Sequence, residues 1–171
     1  NTVFHNELDL TKTLRSHIAE DVALWVKKLI DGNISSANEL SIKIREQGFE
    51  LYITRDLDQA KSYATGRYEG QNEKRFGLIA SAKDKILPAF GVDNDYMTTL
   101  RFRGGPWFND PPNSVKSCCA LNSVATEFSC QGLELDLPIV CWGDDLLWDD
   151  GWKTKKTTRR TKAKDPHTLR L

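Results

Sequence analysis

The chain has 171 residues, enough for one domain of ordinary size with a substantial core. At 39% hydrophobic and 28% charged it is globular in composition, and no stretch approaches the roughly 18 consecutive apolar residues of a membrane span. Its formal net charge is zero but unevenly spread: residues 153–164 hold Lys153, Lys155, Lys156, Arg159, Arg160, Lys162 and Lys164 with no acid, leaving 17 Lys and Arg against 24 Asp and Glu elsewhere. A body with a net charge of −7 is not a general polyanion binder, so any nucleic-acid contact must be local. The cysteines are Cys118, Cys119, Cys130 and Cys141, without a Cys-x-x-Cys pair, and His5, His17 and His167 are scattered, which excludes a zinc module of ordinary spacing. Small buried thiols in a reducing cytosol are the expectation. With no secretory signal the expected location is cytoplasmic. A start at Asn1 and a single internal Met97 lead us to expect a piece of a longer polypeptide or a processed one.

Ile18, Val22, Trp25, Val26 and Leu29 recur at helical spacing after Ser16, a candidate cap, and Asp31-Gly32 stops the helix. Ser36-Ala37-Asn38-Glu39 has capping-box form and predicts a second helix to Gln47. Residues 49–54 alternate apolar and polar and predict a strand. A third helix is expected from Leu57 to about Tyr68, a buried strand over 75–81, and a short helix over 83–90 closed by Gly91. This rhythm predicts an α/β fold with βαβ units and a parallel sheet, whose ligands sit at the carboxyl ends of strands. Ser81, Ala82 and Lys83 fall at one such end, where a helix start would offer free N–H groups to a phosphate.

Residues 93–122 read as a loop carrying Arg101, Arg103, Trp107 and Phe108 among Gly and Pro. Arginine interleaved with aromatics suits nucleic-acid backbone and base stacking, and equally suits aromatics folded back onto the core. Residues 124–128 predict a short strand, and 138–143 (PIVCWG) a strand buried on both faces. Between them Gly132 allows close approach of a ligand, flanked by Gln131, Glu134 and Asp136. After Asp145 the apolar rhythm fades; Trp148 and Trp152 are expected to anchor an edge, with residues 153–164 as a basic arm able to grip phosphates or serve as a solvated connector.

Thr126-x-Phe128-x-x-Gln131-Gly132-Leu133-Glu134-x-Asp136 resembles motif V of superfamily-one helicases, with Phe128 where the wider pattern often has His. Together with Cys141-Trp142-Gly143-Asp144-Asp145 the stretch is more similar to the Schlafen-type DNA/RNA helicases, bacterial P-loop proteins. Leu14-Arg15-Ser16 resembles motif IV of the same enzymes. The resemblance implies a three-layer RecA-like sheet with helices on both faces, here as a partial second helicase lobe occupying residues 1–171, with motif IV near 14–16 and motif V over 125–136. It implies that Arg15 reaches the γ-phosphate of ATP with Mg2+, that Glu134 accepts from the nucleotide sugar, that Gly132 permits close approach, and that Gln131 links the nucleotide site to a DNA or RNA track. Thr126, Ser81, Lys83, Arg101, Arg103 and Trp107 are the remaining candidate nucleic-acid contacts. No Gly-x-x-x-x-Gly-Lys-Ser/Thr, Walker B pair or motif VI occurs in the sequence, so an amino-terminal RecA-like lobe of the same protein is the implied partner and this part alone is expected to be inactive. A non-catalytic RecA-like scaffold or protein-interaction module, and a nucleic-acid-binding domain without ATPase activity, remain alternatives.

Overall fold

The computed structural model describes residues 17–155, which fall into two compact units, one ending at Tyr52 and one beginning at Ile53. The Ser16 cap, Arg15 and the basic run from Lys156 onward lie outside the described residues.

The first unit is a helix pair, α1 (His17–Ile30) and α2 (Ile34–Glu46), packed on each other. Gly32 makes the sharp connection at φ 76°, a conformation that glycine adopts without a Cβ penalty. The cap of α2 is Asn33 and not Ser36: its carboxamide oxygen accepts from the Ser36 N–H at 3.2 Å, so the helix starts ahead of the capping-box serine. Asp21 of α1 receives Lys43 Nζ of α2 and Nε2 of Gln47 just past its end, both at 2.9 Å, while Ile30, Ala37 and Ile44 are buried.

Residues 49–54 form no strand, contrary to the alternation in the sequence. Alternation produces a strand only where a neighbour takes up the backbone groups. Here Tyr52 is exposed and Ile53 is 99% exposed.

The second unit opens with α3 (Leu57–Arg67), whose N-cap Asp56 accepts from the Gln59 N–H at 3.0 Å. Its sheet has three parallel strands in the order β2–β1–β3: β1 (Phe76–Ala80) at the centre, β2 (Val124–Thr126) on one side and β3 (Leu137–Cys141) on the other. All five residues of β1 are buried, as a central parallel strand requires. Residues 138–143 do not make the doubly buried strand expected of them. Among the described residues β3 is an edge, with Pro138 and Val140 exposed between half-buried neighbours. An edge also tolerates the N–H that Pro138 lacks. Among the described residues the sheet thus matches the expected α/β class with three strands, without the one expected over 49–54.

Residues 83–90 form a single 3-10 turn (Leu87–Phe90) in place of a helix, and residues 93–122 are more regular than a loop, containing α4 (Tyr96–Arg101) and α5 (Gly104–Asn109). Trp107 is the anchor of this segment. It is 1% exposed and lies so close to β1 that a Cβ on Gly77 would sit 2.7 Å from its Cζ2. Phe102 packs at 5.6 Å from the Trp107 ring, and Tyr68 stacks on Phe76 at 5.7 Å. The four thiols are free. Burial pushes Cys118 and Cys141 up to about 11 and also raises Cys130, so they stay protonated and weakly nucleophilic near neutral pH. Beyond β3 the hairpin β4 (Leu146–Trp148) and β5 (Trp152–Thr154) closes on Asp150 and Gly151, both at positive φ.

The connection from β2 to β3, residues 127–136, crosses β1 without a helix. The Leu133-Glu134-Leu135-Asp136 alternation belongs to this extended crossing: Leu133 and Leu135 pack on the core. Asp136 fastens its far end, accepting from the Arg75 N–H at 2.8 Å and Lys74 Nζ at 2.9 Å. Burial alone would raise its pKa, but these donors outweigh it and hold the carboxyl below the ordinary aspartate range. A depressed folded-state value means the stabilisation is complete above the unfolded aspartate value and fades as pH falls through the folded one. Asp136→Asn is therefore expected to flatten the acid limb of a urea-denaturation pH series below about pH 4, and an unchanged limb would contradict this role.

Candidate functional site

In a parallel sheet whose chain leaves the central strand first to one side and then returns to the other, the carboxyl ends of the strands form a crevice at the switch point. The register puts Thr126 and Cys141 beside Ala80, so the residues that follow all three strands meet at one edge. That edge is densely hydrogen bonded. Ser81 Oγ donates to Asp145 Oδ2 at 2.6 Å, and the Ala82 N–H donates to Glu127 Oε2 at 2.7 Å.

At its centre is Asp84, 3% exposed, whose two carboxylate oxygens hold two different loops. Oδ1 accepts from the Ile86 and Leu87 N–H groups at 2.9 and 3.2 Å, and Oδ2 from the Asp144 and Asp145 N–H groups at 2.7 and 3.2 Å. Buried Asn94 bridges the same turn, its Nδ2 donating to the Ser81 and Asp84 carbonyls at 2.6 and 3.0 Å. Gly143 is required here by close approach: a Cβ on it would lie 1.9 Å from Asp84 Oδ2. No group of three or more His, Cys, Asp or Glu among the described residues is arranged to hold a metal ion.

The candidate residues separate into distinct places. Ser81 and Lys83 are at this edge, but no helix N-terminus forms there. The Ala82 amide is taken by Glu127 and the Lys83 amide by Ser81 Oγ at 3.3 Å, so the expected backbone phosphate cradle is filled from within the protein. Thr126 ends β2 with its hydroxyl 3.2 Å from Ser129 Oγ, and its N–H donates to that same oxygen at 2.7 Å. Buried in this way, Thr126 shapes the turn and presents no hydroxyl to a phosphate.

The turn continues through Cys130 to Gln131 and Gly132, both exposed, with Gly132 at φ 79° and nothing within 4 Å of where its Cβ would be. Glu134 is exposed on the crossing segment, between core-packed Leu133 and Leu135. Arg101 and Arg103 are exposed on and just after α4, which packs against β2. Gly104, which follows Arg103, lies close to the same turn, since a Cβ on it would be 4.0 Å from the Ser129 carbonyl. Trp107 is removed from the interface set, because a stacking indole needs an open face and this one is enclosed in the core. Arg15 lies outside the described residues.

Asp84 and Asn94 escape the sequence reading, which names Gly143 and Asp145 only within the family resemblance and gives them no role; the acids immediately after two apolar runs (Ala82-Lys83-Asp84 and Gly143-Asp144-Asp145) carry the available signal.

The fold and this edge define an α/β protein with a parallel sheet and a glycine turn at the exit of an outer strand. The chain belongs to the Schlafen group 3 family of DNA/RNA helicase domains, whose family model matches residues 1–169. Comparison with curated proteins and with solved structures gave no match.

Gly143→Ala is expected to displace the Asp84 carboxylate and strand the N–H groups it holds, lowering stability by about 2–4 kcal/mol in urea unfolding. Wild-type stability in that variant would show that Asp84 does not hold this edge together.

Proposed function

We propose that this domain is the second, RecA-like motor lobe of an ATP-dependent helicase or translocase acting on DNA or RNA. The observation that carries the reading is family membership over residues 1–169 combined with the exposed Gln131-Gly132 turn in the connection from β2 to β3. Motor lobes of this kind work by completing a nucleotide site on a partner lobe, which here would bring the phosphate-binding loop that this sequence does not contain. Arg15 would stabilise charge developing on the γ-phosphoryl group of Mg2+-bound ATP, as a fixed cation does by electrostatics. Glu134 would accept from the nucleotide sugar, and Gly132, with open space where a side chain would be, would let the backbone come close.

Gln131 would connect that site to the nucleic-acid track. Arg101 and Arg103, exposed beside the turn, and Lys83 at the strand edge would supply local positive charge for phosphates. In a chain whose remaining body is acidic, this concentrates nucleic-acid contact on one face. Thr126 supports the reading as the residue that holds the turn in shape.

The test is ATP hydrolysis by the full-length polypeptide that carries this sequence, with and without single-stranded nucleic acid. Stimulated turnover is expected to fall by at least tenfold in Glu134→Gln and to be abolished in Arg15→Ala, each with an unchanged circular dichroism spectrum. Full turnover in both variants would overturn the assigned roles. Absence of any turnover in a folded wild-type protein would replace the motor with a scaffold.

A further inference from the structure

Cys118 and Cys119 are consecutive free thiols near the amino end of β1, away from the carboxyl edge. Neighbouring side chains diverge in a strand, but here a 3-10 turn (Cys118–Ala120) brings the two sulfurs to 3.9 Å. The turn is held at both ends. Oγ of buried Ser117 accepts from the Cys119 N–H at 3.3 Å while donating to the Asp110 carbonyl at 3.2 Å. Leu121 follows at φ 54°, its N–H on the Cys118 carbonyl at 3.1 Å.

The two sulfurs have different surroundings. Cys118 is fully buried against β1, with its Cβ 3.0 Å from where a Cβ on Gly77 would sit. Cys119 is 8% exposed, donates its S–H to the Lys74 carbonyl at 3.5 Å, and lines an open cavity of about 320 Å³. Tyr68, Phe76 and Pro112 give that cavity apolar walls, with Gln71 and Asn72 among its polar ones. A ligand entering it reaches Cys119 first, with the Cys118 sulfur next to it.

Chemistry narrows the ligand. Burial holds Cys118 up at about 11, so reactions that require its thiolate, such as alkylation or disulfide exchange, are slow near neutral pH. A structural zinc ion takes four ligands, and among the described residues no group of three or more His, Cys, Asp or Glu is arranged to hold a metal. Two adjacent thiols complete by themselves a soft centre of low coordination number that carries displaceable oxygen, and trivalent arsenic is the type case. Its condensation balances without an oxidant. An R–As=O group and two S–H groups give two As–S bonds and one water; both thiol protons leave on the oxygen and arsenic stays trivalent. One atom with bonds of about 2.3 Å to each sulfur, the length in a zinc thiolate, reaches across at most about 4.6 Å, so it bridges a 3.9 Å pair. With the second thiol already in place, the second bond forms in an intramolecular step.

We infer that Cys118 and Cys119 form a vicinal-dithiol binding site for a trivalent organoarsenical, whose apolar group occupies the cavity beside Tyr68 and Phe76. Neither thiol takes part in the proposed nucleotide or nucleic-acid chemistry.

The experiment is intact-mass spectrometry of the reduced full-length polypeptide after incubation with phenylarsine oxide. Wild type is expected to gain an adduct that Cys118→Ala and Cys119→Ser each lack and that Cys130→Ala and Cys141→Ala keep, all with unchanged circular dichroism. Cysteines elsewhere in the polypeptide add equally in every variant, so the difference of one adduct is the readout. The dithiol 2,3-dimercaptopropanol is expected to remove this adduct, and 2-mercaptoethanol at the same thiol concentration to leave it. The preference for phenylarsine oxide over inorganic arsenite is expected to exceed that of free dithiothreitol by at least tenfold, and an equal preference overturns the role of the cavity. Persistence of the adduct in either Cys118→Ala or Cys119→Ser overturns the site, because one thiol then suffices. Loss of the adduct in Cys130→Ala or Cys141→Ala, or no adduct on a folded wild type, overturns it as well.

Discussion

The carboxylate of Asp84 is the constraint on which the functional edge depends. It arises from the turn after β1, yet one of its oxygens holds the backbone after β3 and the other holds the turn leading to Leu87. A buried charge is costly unless its oxygens are satisfied, and here four backbone N–H groups satisfy them. The consequence is mechanical. The segment from Gly143 to Asp145 cannot drift from the sheet without exposing an unpaired carboxylate to the interior, and the tryptophan hairpin begins immediately beyond it. Gly143 permits this approach because any side chain there would occupy the position of Asp84 Oδ2.

The two ends of the sheet are built differently. At the amino end, Asp136 holds the start of β3 to Arg75 and Lys74, and Tyr68, Phe76 and Trp107 fill the core nearby. At the carboxyl end the residues are polar, open in part and varied in conformation: the Gly132 turn, the exposed arginines beside it and the half-exposed indoles. Rigid apolar packing at one end and positioned polar groups at the other is the division expected of a sheet that binds ligands at its carboxyl edge. No described helix is long and apolar enough to cross a membrane.

Much of this was legible in the sequence where a local rule decides the outcome. Gly32 and Asp31 end α1, Asp56 precedes α3, and the buried run at 76–80 can hardly be other than a central strand. Apart from the α2 cap, the failures share one cause: the deciding interaction is remote. Among the described residues no strand lies beside the alternation at 49–54, and the alternation of Leu133 and Leu135 serves a crossing segment that touches the core. Ser36 has the form of a capping residue, but Asn33 is placed to cap first. Trp107 sits among Arg, Gly and Pro as an interface residue would, and only the glycine at position 77 of β1, far away in sequence, explains its burial. Asp84 could not be separated from an ordinary loop aspartate, since its partners come from residues sixty positions later. The glycine turn at 131–132 was legible because it is a local pattern, and the family match agrees with the Schlafen-type helicase class that the resemblance suggested.

The most direct test of the carboxyl edge as the working face is hydrogen–deuterium exchange of the full-length polypeptide with a non-hydrolysable ATP analogue and single-stranded nucleic acid. Added protection is expected in residues 127–136 with nucleotide and in residues 101–104 with nucleic acid, while residues 65–72, near the amino end of β1, stay unchanged. Protection confined to residues 65–72, with none in the two carboxyl-edge segments, would contradict it.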